Sequence, residues 1–249
     1  MQKITVGDVE IIVLQDGTGA FLKLNSTFPT VKAAQWPSYY SRYPQSFTEP
    51  STWFVHYNCY LVRSHQHTVL VDTGIGPGPA VEGQYGRLLD SLREIDVSRE
   101  QIDTVFFTHV HVDHVGWNLT TEGKPTFPNA RYVLHESEWD FYQQPMVKVS
   151  IAPYIDAMVT PLKKLGVLDI LTGGEQALTQ ELIAIPTPGH SPGHMSLLVS
   201  SNNEKVLIEG DAILHPAQVT EQAWCASFDM DNEQTRATRK WLLDWLAQE

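Results

Sequence analysis

The segment "TVFFTHVHVDHVGW", Thr104 to Trp117, constrains this chain more than any other. Its apolar run has the length and β-branched content of a buried strand. Directly after it come His109, His111, Asp113 and His114, four groups that bind metals and protons within six positions. Side chains two apart on an extended backbone project to the same side, so His109 and His111 face together. Imidazole and carboxylate are ligands of borderline divalent metals such as zinc. One tetrahedral ion does not use all four groups and still leave an open position for ligands from elsewhere. With further candidates downstream, the pattern points to two ions close together.

Three other apolar runs end in the same chemistry. "VLVDTG" ends in Asp72, "ELIAIPTPGH" leads into a Pro/Gly-rich loop with His190, and "KVLIEGDAI" delivers Asp211, where a carboxylate can bridge two cations. A single strand-end aspartate is ordinarily a turn former; beside the histidine cluster, these residues read as parts of one site. Asp72 is expected to orient a ligand histidine or its loop rather than bind metal. His215 follows Asp211 closely and is expected near the same edge, lining a pocket. His194 is four residues after His190, but without a helix that spacing has no ligand meaning, so it reads as a hydrogen-bonded structural histidine. His56, His65, His67 and His135 read as ordinary surface or core histidines.

Around these motifs the chain alternates short strands and helices without strict βα order, which predicts an α+β layered sandwich. "YNCYLVRS" and "HTVLVDTG" predict a hairpin around Ser64 to Gln66, "GRLLDSLREI" a helix, and "ARYVLHESEWDFY" a strand followed by a helix start. From Arg236, Ala237, Trp241, Leu242, Trp245 and Leu246 recur at helical spacing and predict an amphipathic terminal helix. No repeat or linker divides the chain, so residues 1–249 read as one domain. The stretch from Trp36 to Tyr60 holds nine aromatics. They are either core and strand residues or an apolar lid or homodimer contact.

Composition excludes several function classes. The formal charge is −12, from 17 basic and 29 acidic side chains, which argues against nucleic acid and against anionic membrane surfaces as partners. No apolar run has the length to cross a bilayer, and the N-terminus has no basic head with an apolar core. Cys59 and Cys225 form no framework and read as buried thiols in a reducing compartment, so the cytoplasm is the expected location. "GHSPG", Gly189 to Gly193, matches a serine-hydrolase elbow in letters only: Pro192 has no N–H for an oxyanion hole, and a strand-like segment follows where a helix is required. "DTGIGPGP" misses the phosphate-loop pattern because Pro79 stands in place of its last glycine.

The set "VDTGIG", "THVHVDHVGWN", "PTPGHSPGHMSLLV" and "GDAILHPAQV" resembles the metallo-β-lactamase-fold hydrolases over nearly the whole chain. It is especially similar to the branch with N-acyl-homoserine lactone lactonases and methyl parathion hydrolase. The resemblance implies a four-layer αββα sandwich with a dinuclear site at one edge. It implies that His109, His111 and His190 hold a first divalent ion, Asp113 and His114 a second, and that Asp211 bridges them. Zinc is the first choice, and iron, manganese or cobalt accept the same donors. Two such ions acidify a shared water, giving hydroxide for attack on a carbonyl or phosphoryl centre. As in related lactonases, Asp113 passes a proton to the leaving oxygen. The small-molecule substrate this implies is a lactone or related ester, with phosphotriester or thioester hydrolysis as alternatives. The family's last histidine ligand lies on a strand beyond the final helix, and this chain ends at Glu249 with no histidine after His215. The domain is therefore expected to lack its C-terminal strand. A non-catalytic member with an incomplete second metal site is the other reading.

Overall fold

Alternation along each strand decides which of two cores a residue enters, and the sheets pack accordingly. In a computed structural model, which describes residues 2–78 and 85–248 apart from the side chains of residues 20 and 21, the strands are β1 (Lys3–Val6), β2 (Val9–Lys23), β3 (Phe47–Glu49), β4 (Thr52–Ser64), β5 (His67–Val71), β6 (Thr104–Phe106), β7 (Arg131–His135), β8 (Leu168–Leu171), β9 (Gln176–Ala177), β10 (Leu182–Pro186), β11 (Met195–Ser201) and β12 (Glu204–Ile208). The helices are α1 (Leu24–Thr27), α2 (Pro37–Arg42), α3 (Leu88–Arg93), α4 (Glu136–Tyr142), α5 (Pro145–Ser150), α6 (Ile155–Met158), α7 (Thr160–Lys164) and α8 (Asn232–Leu246). One sheet runs β1-β2-β4-β5-β6-β7-β8 with β3 paired to β4; the other runs β12-β11-β10-β9. Among the described residues this makes a mixed sheet and an antiparallel one.

Val69 and Val71 of β5 join Phe106 and Val133 from the large sheet and Leu182, Ala184, Leu197 and Val199 from the small one in a core between the sheets. Leu70, Val105, Tyr132 and Leu134 point the other way, into a core closed by Leu88 and Leu92 of α3, Tyr142 of α4, Val147 of α5, Ile155 of α6 and Leu162 of α7. Helix α8 belongs to the side of the small sheet, where Thr238 bonds to Pro188 O and Arg239 to Ala212 O. The layers are α-β-β-α.

The hairpin expected around Ser64 closes with Ser64 opposite His67, and His65 takes a positive φ in the turn. Strands β5 to β8 run parallel, so their C-terminal ends share one edge. Open parallel strands place ligands outside those ends. The last helix begins at Asn232, four residues before the apolar periodicity, because the Asp231 side chain accepts from Glu233 N and Gln234 N at 3.0 and 2.9 Å and caps it. The aromatic stretch is divided: Trp36, Tyr39 and Trp53 are buried with Phe28 and Trp224, while Phe54, Tyr57 and Tyr60, with Trp53, border a cavity. Both cysteines are buried and unpaired. Pro79 lies outside the described residues. No helix among them is long and apolar enough to cross a membrane.

The turn after β5 is pinned from below. Asp16 is fully buried, and its carboxylate accepts from Ile75 N, Leu88 N and Trp117 Nε1 at 2.6, 2.7 and 2.9 Å. Gly116 packs so closely on the same turn that a Cβ there would lie 2.2 Å from the Ile75 carbonyl carbon. Replacing Asp16 by Ala strands three buried donors, each worth about 1–3 kcal/mol. Urea denaturation of Asp16→Ala is expected to show a loss of about 3–5 kcal/mol; a loss under about 1 kcal/mol would mean that the clamp contributes little.

Candidate metal centre

Four chain segments deliver the site. The turn after β5 brings Asp72, the loop after β6 brings Thr108 to His114, the β10–β11 loop brings His190, and the turn after β12 brings Asp211. A backbone bond from Met195 N to Thr108 O, 2.8 Å long, ties the loop of one sheet to the first residue of β11 in the other.

His109 Nε2, His111 Nδ1, His190 Nε2 and an Asp211 oxygen lie within 4.8 Å of one another. His111 Nδ1 is 2.9 Å from each of the other two ring nitrogens. Asp211 Oδ2 is 3.3 Å from His190 Nε2 and 3.8 Å from His109 Nε2. Its other oxygen, Oδ1, is 3.5 Å from His114 Nε2, which is 3.7 Å from Asp113 Oδ2. Asp211 therefore divides its two oxygens between two donor sets.

The outer partners decide what those ring nitrogens present. The Thr108 hydroxyl donates to Asp72 Oδ2 at 2.8 Å, so its oxygen accepts from His109 Nδ1–H at 3.0 Å. His190 Nδ1–H donates to Asp229 Oδ1 at 2.8 Å, and His114 Nδ1–H to Asp72 Oδ2 at 2.8 Å. In each ring Nδ1 carries a proton, so Nε2 is the nitrogen left to face the centre. Burial, then the neighbouring imidazoles, pushes His109 well below the usual histidine range; burial and His190 do the same to His111. Burial also opposes the charge on His114, but Asp211, Asp113 and Asp72 outweigh it and raise His114 well above that range. Burial raises Asp113, with His114 opposing. A proton on His111 Nδ1 can serve only one of the two ring nitrogens that face it at 2.9 Å, whereas a cation serves all three, and this donor set fits divalent metal.

Asp72 holds its carboxylate by a left-handed backbone, φ 60°, which a non-glycine residue adopts at a cost. His194 is buried against Thr187 Oγ1 and its Nε2 accepts from Asp211 N at 2.9 Å, so it steadies the acid that faces both donor sets. His215 does not border the cavity. Its neighbours Leu214 and Pro216 do, while its ring is fully buried among Phe28, Trp36, Phe47 and Trp53. The Ala217 N–H donates to His215 Nδ1 at 3.1 Å and turns the ring away from the site. Asp229 and Glu138 escaped the sequence reading. Asp229 lies 39 residues from His190 in the chain, and Glu138 sits in a helix start with no motif around it.

The centre opens into a cavity of about 1180 Å³. His56, Asn58 and Tyr60 of β4 line one wall, and Phe141, Ile151, Tyr154, Phe228 and Met230 another. Asp72, Asp113, Glu209, Asp211, Asp229 and Asp231 border it, and no described lysine or arginine does.

The model of the metallo-beta-lactamase superfamily matches residues 52–244, which span every segment of this centre. The chain belongs to that superfamily. The Bacillus subtilis protein YobT is 33% identical over 165 residues, 62% of this chain and 61% of YobT, so the match spans under two thirds of that relative. An N-acyl homoserine lactonase of Bacillus thuringiensis is 24% identical over 191 residues, 69% of each protein. Among solved structures, the dizinc quorum-quenching lactonase AidC, in complex with N-hexanoyl-L-homoserine as product, superposes with a TM-score of 0.80 at 25% identity, covering 99% of this chain and 86% of that one. A probable metal-dependent hydrolase from Staphylococcus aureus gives a TM-score of 0.84 at 20% identity, covering 98% and 87%, which speaks for the superfamily fold alone.

Burial pushes His215 down to about 4 from the usual 6.5. The unfolded chain takes up a proton below pH 6.5 and the folded one only near 4, so this residue's contribution falls as pH drops across that window, by up to about 3 kcal/mol. Chemical denaturation at a series of pH values is expected to give His215→Phe a shallower loss than the parent over that range. Equal slopes would mean that the buried ring protonates as freely as in the unfolded chain.

Proposed function

We propose that this protein is a metal-dependent hydrolase that holds two divalent cations, zinc by first choice, and opens lactones or cleaves related uncharged esters. The observation that carries this reading is the division of Asp211, with Oδ2 toward His109, His111 and His190 and Oδ1 toward His114 and Asp113. In this reading His109, His111 and His190 hold one ion, Asp113 and His114 the other, and Asp211 bridges. Cations bound there would supply Lewis acidity, acidifying a water and polarising an ester carbonyl.

The chain's own groups do the remaining work. Asp72 and Asp229 keep His114, His109 and His190 in the tautomer that turns Nε2 inward. Asp113 borders the cavity and is raised by burial, which suits it to take the proton of the attacking water. As the ring C–O bond breaks, the same carboxyl returns that proton to the leaving oxygen. The apolar wall of Phe141, Ile151, Tyr154, Phe228 and Met230 gives a substrate chain a place to lie out of water. The lactonase names among the relatives support the substrate class by analogy.

The cavity's charge weighs against the thioester alternative. A glutathione thioester carries carboxylates, and six acidic residues with no described lysine or arginine offer them no partner. Lactones and phosphotriesters carry no such charge.

Elemental analysis of protein purified without chelator is expected to find about two metals per chain, and a panel of lactones and neutral esters is expected to turn over only when metal is present. The double variant His109→Ala/His111→Ala is expected to lose both metal and turnover, by at least about 10²-fold in rate. Full activity in that variant, or turnover that survives metal removal, would overturn the hydrolase reading.

A further inference from the structure

Glu138 occupies the third position of α4 and is fully buried. One of its oxygens, Oε1, accepts from Val110 N at 3.1 Å, the amide between His109 and His111. The other, Oε2, accepts from Ser191 Oγ and Gly193 N, both at 2.8 Å, in the loop that carries His190. The first loop follows β6 of the large sheet, and the second joins β10 to β11 of the small one. One carboxylate thus spans the two sheets at the edge where their histidines meet. The approach is close enough that a Cβ on Gly193 would sit 2.1 Å from Glu138 N, so only glycine at that position lets the loop reach the start of α4.

We infer that Glu138 is a positioning residue: it sets the separation of His190 from the His109–His111 pair, and thereby how tightly the chain holds a divalent cation. Each of its oxygens serves a different loop, so neither loop can shift without stretching a bond to a shared, buried acceptor. An amide in its place offers one accepting oxygen and turns an NH₂ group against an N–H or O–H donor on the other side. Glu138→Gln then releases one loop while keeping the size and shape of the side chain. Groups that orient metal ligands from behind are typically worth about 10–100-fold in metal affinity. The inference rests on the reading of these histidines as metal-holding residues.

The test measures zinc affinity by competition with a chelator, the d–d absorption of the cobalt-loaded protein, and the melting temperature of the metal-free protein. The variants are Glu138→Gln, Ser191→Ala and Glu181→Gln. Glu181 is a buried carboxylate bonded to Ser64 Oγ at 2.6 Å, away from the centre, and serves as the control for stability alone. Glu138→Gln is expected to bind zinc about 10–100-fold more weakly and to shift the cobalt bands. Glu181→Gln is expected to melt lower with zinc affinity and cobalt bands unchanged. Wild-type affinity and spectrum in Glu138→Gln would overturn the inference whatever its melting temperature. If that variant does not fold, Ser191→Ala, which removes one hydroxyl donor, decides: at least a threefold loss of affinity supports the inference and none overturns it. A parent protein that binds no metal at all would sink the underlying reading instead, an outcome distinct from either.

Discussion

The Asp72 carboxylate accepts from Thr108 N, Thr108 Oγ1 and His114 Nδ1, each at 2.8 Å, and the geometry of the whole centre depends on it. The carboxylate turns the first loop residue, claims its hydroxyl proton, and so makes that hydroxyl an acceptor for His109. With the same acceptor it sets the tautomer of His114. Two ring nitrogens are turned inward because of one acid that never enters the cluster itself. The left-handed backbone at Asp72 is the local cost of aiming the side chain there.

Around this acid the site is layered by charge. Nearest the centre are imidazole nitrogens with the carboxylates of Asp113 and Asp211. Behind them, Asp72, Asp229 and Glu138 accept from histidines or from the backbone of their loops. So many acids converging at a cavity that no described lysine or arginine borders repel one another, a repulsion that bound divalent cations would relieve. The net charge of −12 is partly accounted for at this one edge. The cavity beyond offers apolar surface and acids, and no described lysine or arginine borders it.

Much of this was legible in the sequence. Two-residue periodicity and strand-end placement put His109, His111, Asp113, His114, His190 and Asp211 on loops before any fold was known, and the structure brings their functional atoms together. The missing N–H of Pro192 disposed of the elbow motif, and Met195 to Ser201 is a strand. Other features resisted. Asp231 caps α8 five residues before the apolar pattern begins, since a cap bonds to backbone and leaves no periodicity. His215 was expected to line the pocket, yet its ring rotates into an aromatic cluster assembled from residues as distant as Phe28 and Trp53. Glu138 and Asp229 carried no signal, because each acts on groups far along the chain.

By itself, the sequence determined which side chains stand at strand ends and therefore which chemistry one edge of the sandwich can hold. Those properties are local: alternation, turn residues and donor type act over a few positions. Only the tertiary structure decided that four strand ends meet, that Asp211 splits its oxygens between two donor sets, and that Glu138 spans two loops from different sheets. Hydrogen bonds of 2.8–3.1 Å between residues up to 87 positions apart set those relations, and they exist only once both cores have packed and fixed the distance between the sheets.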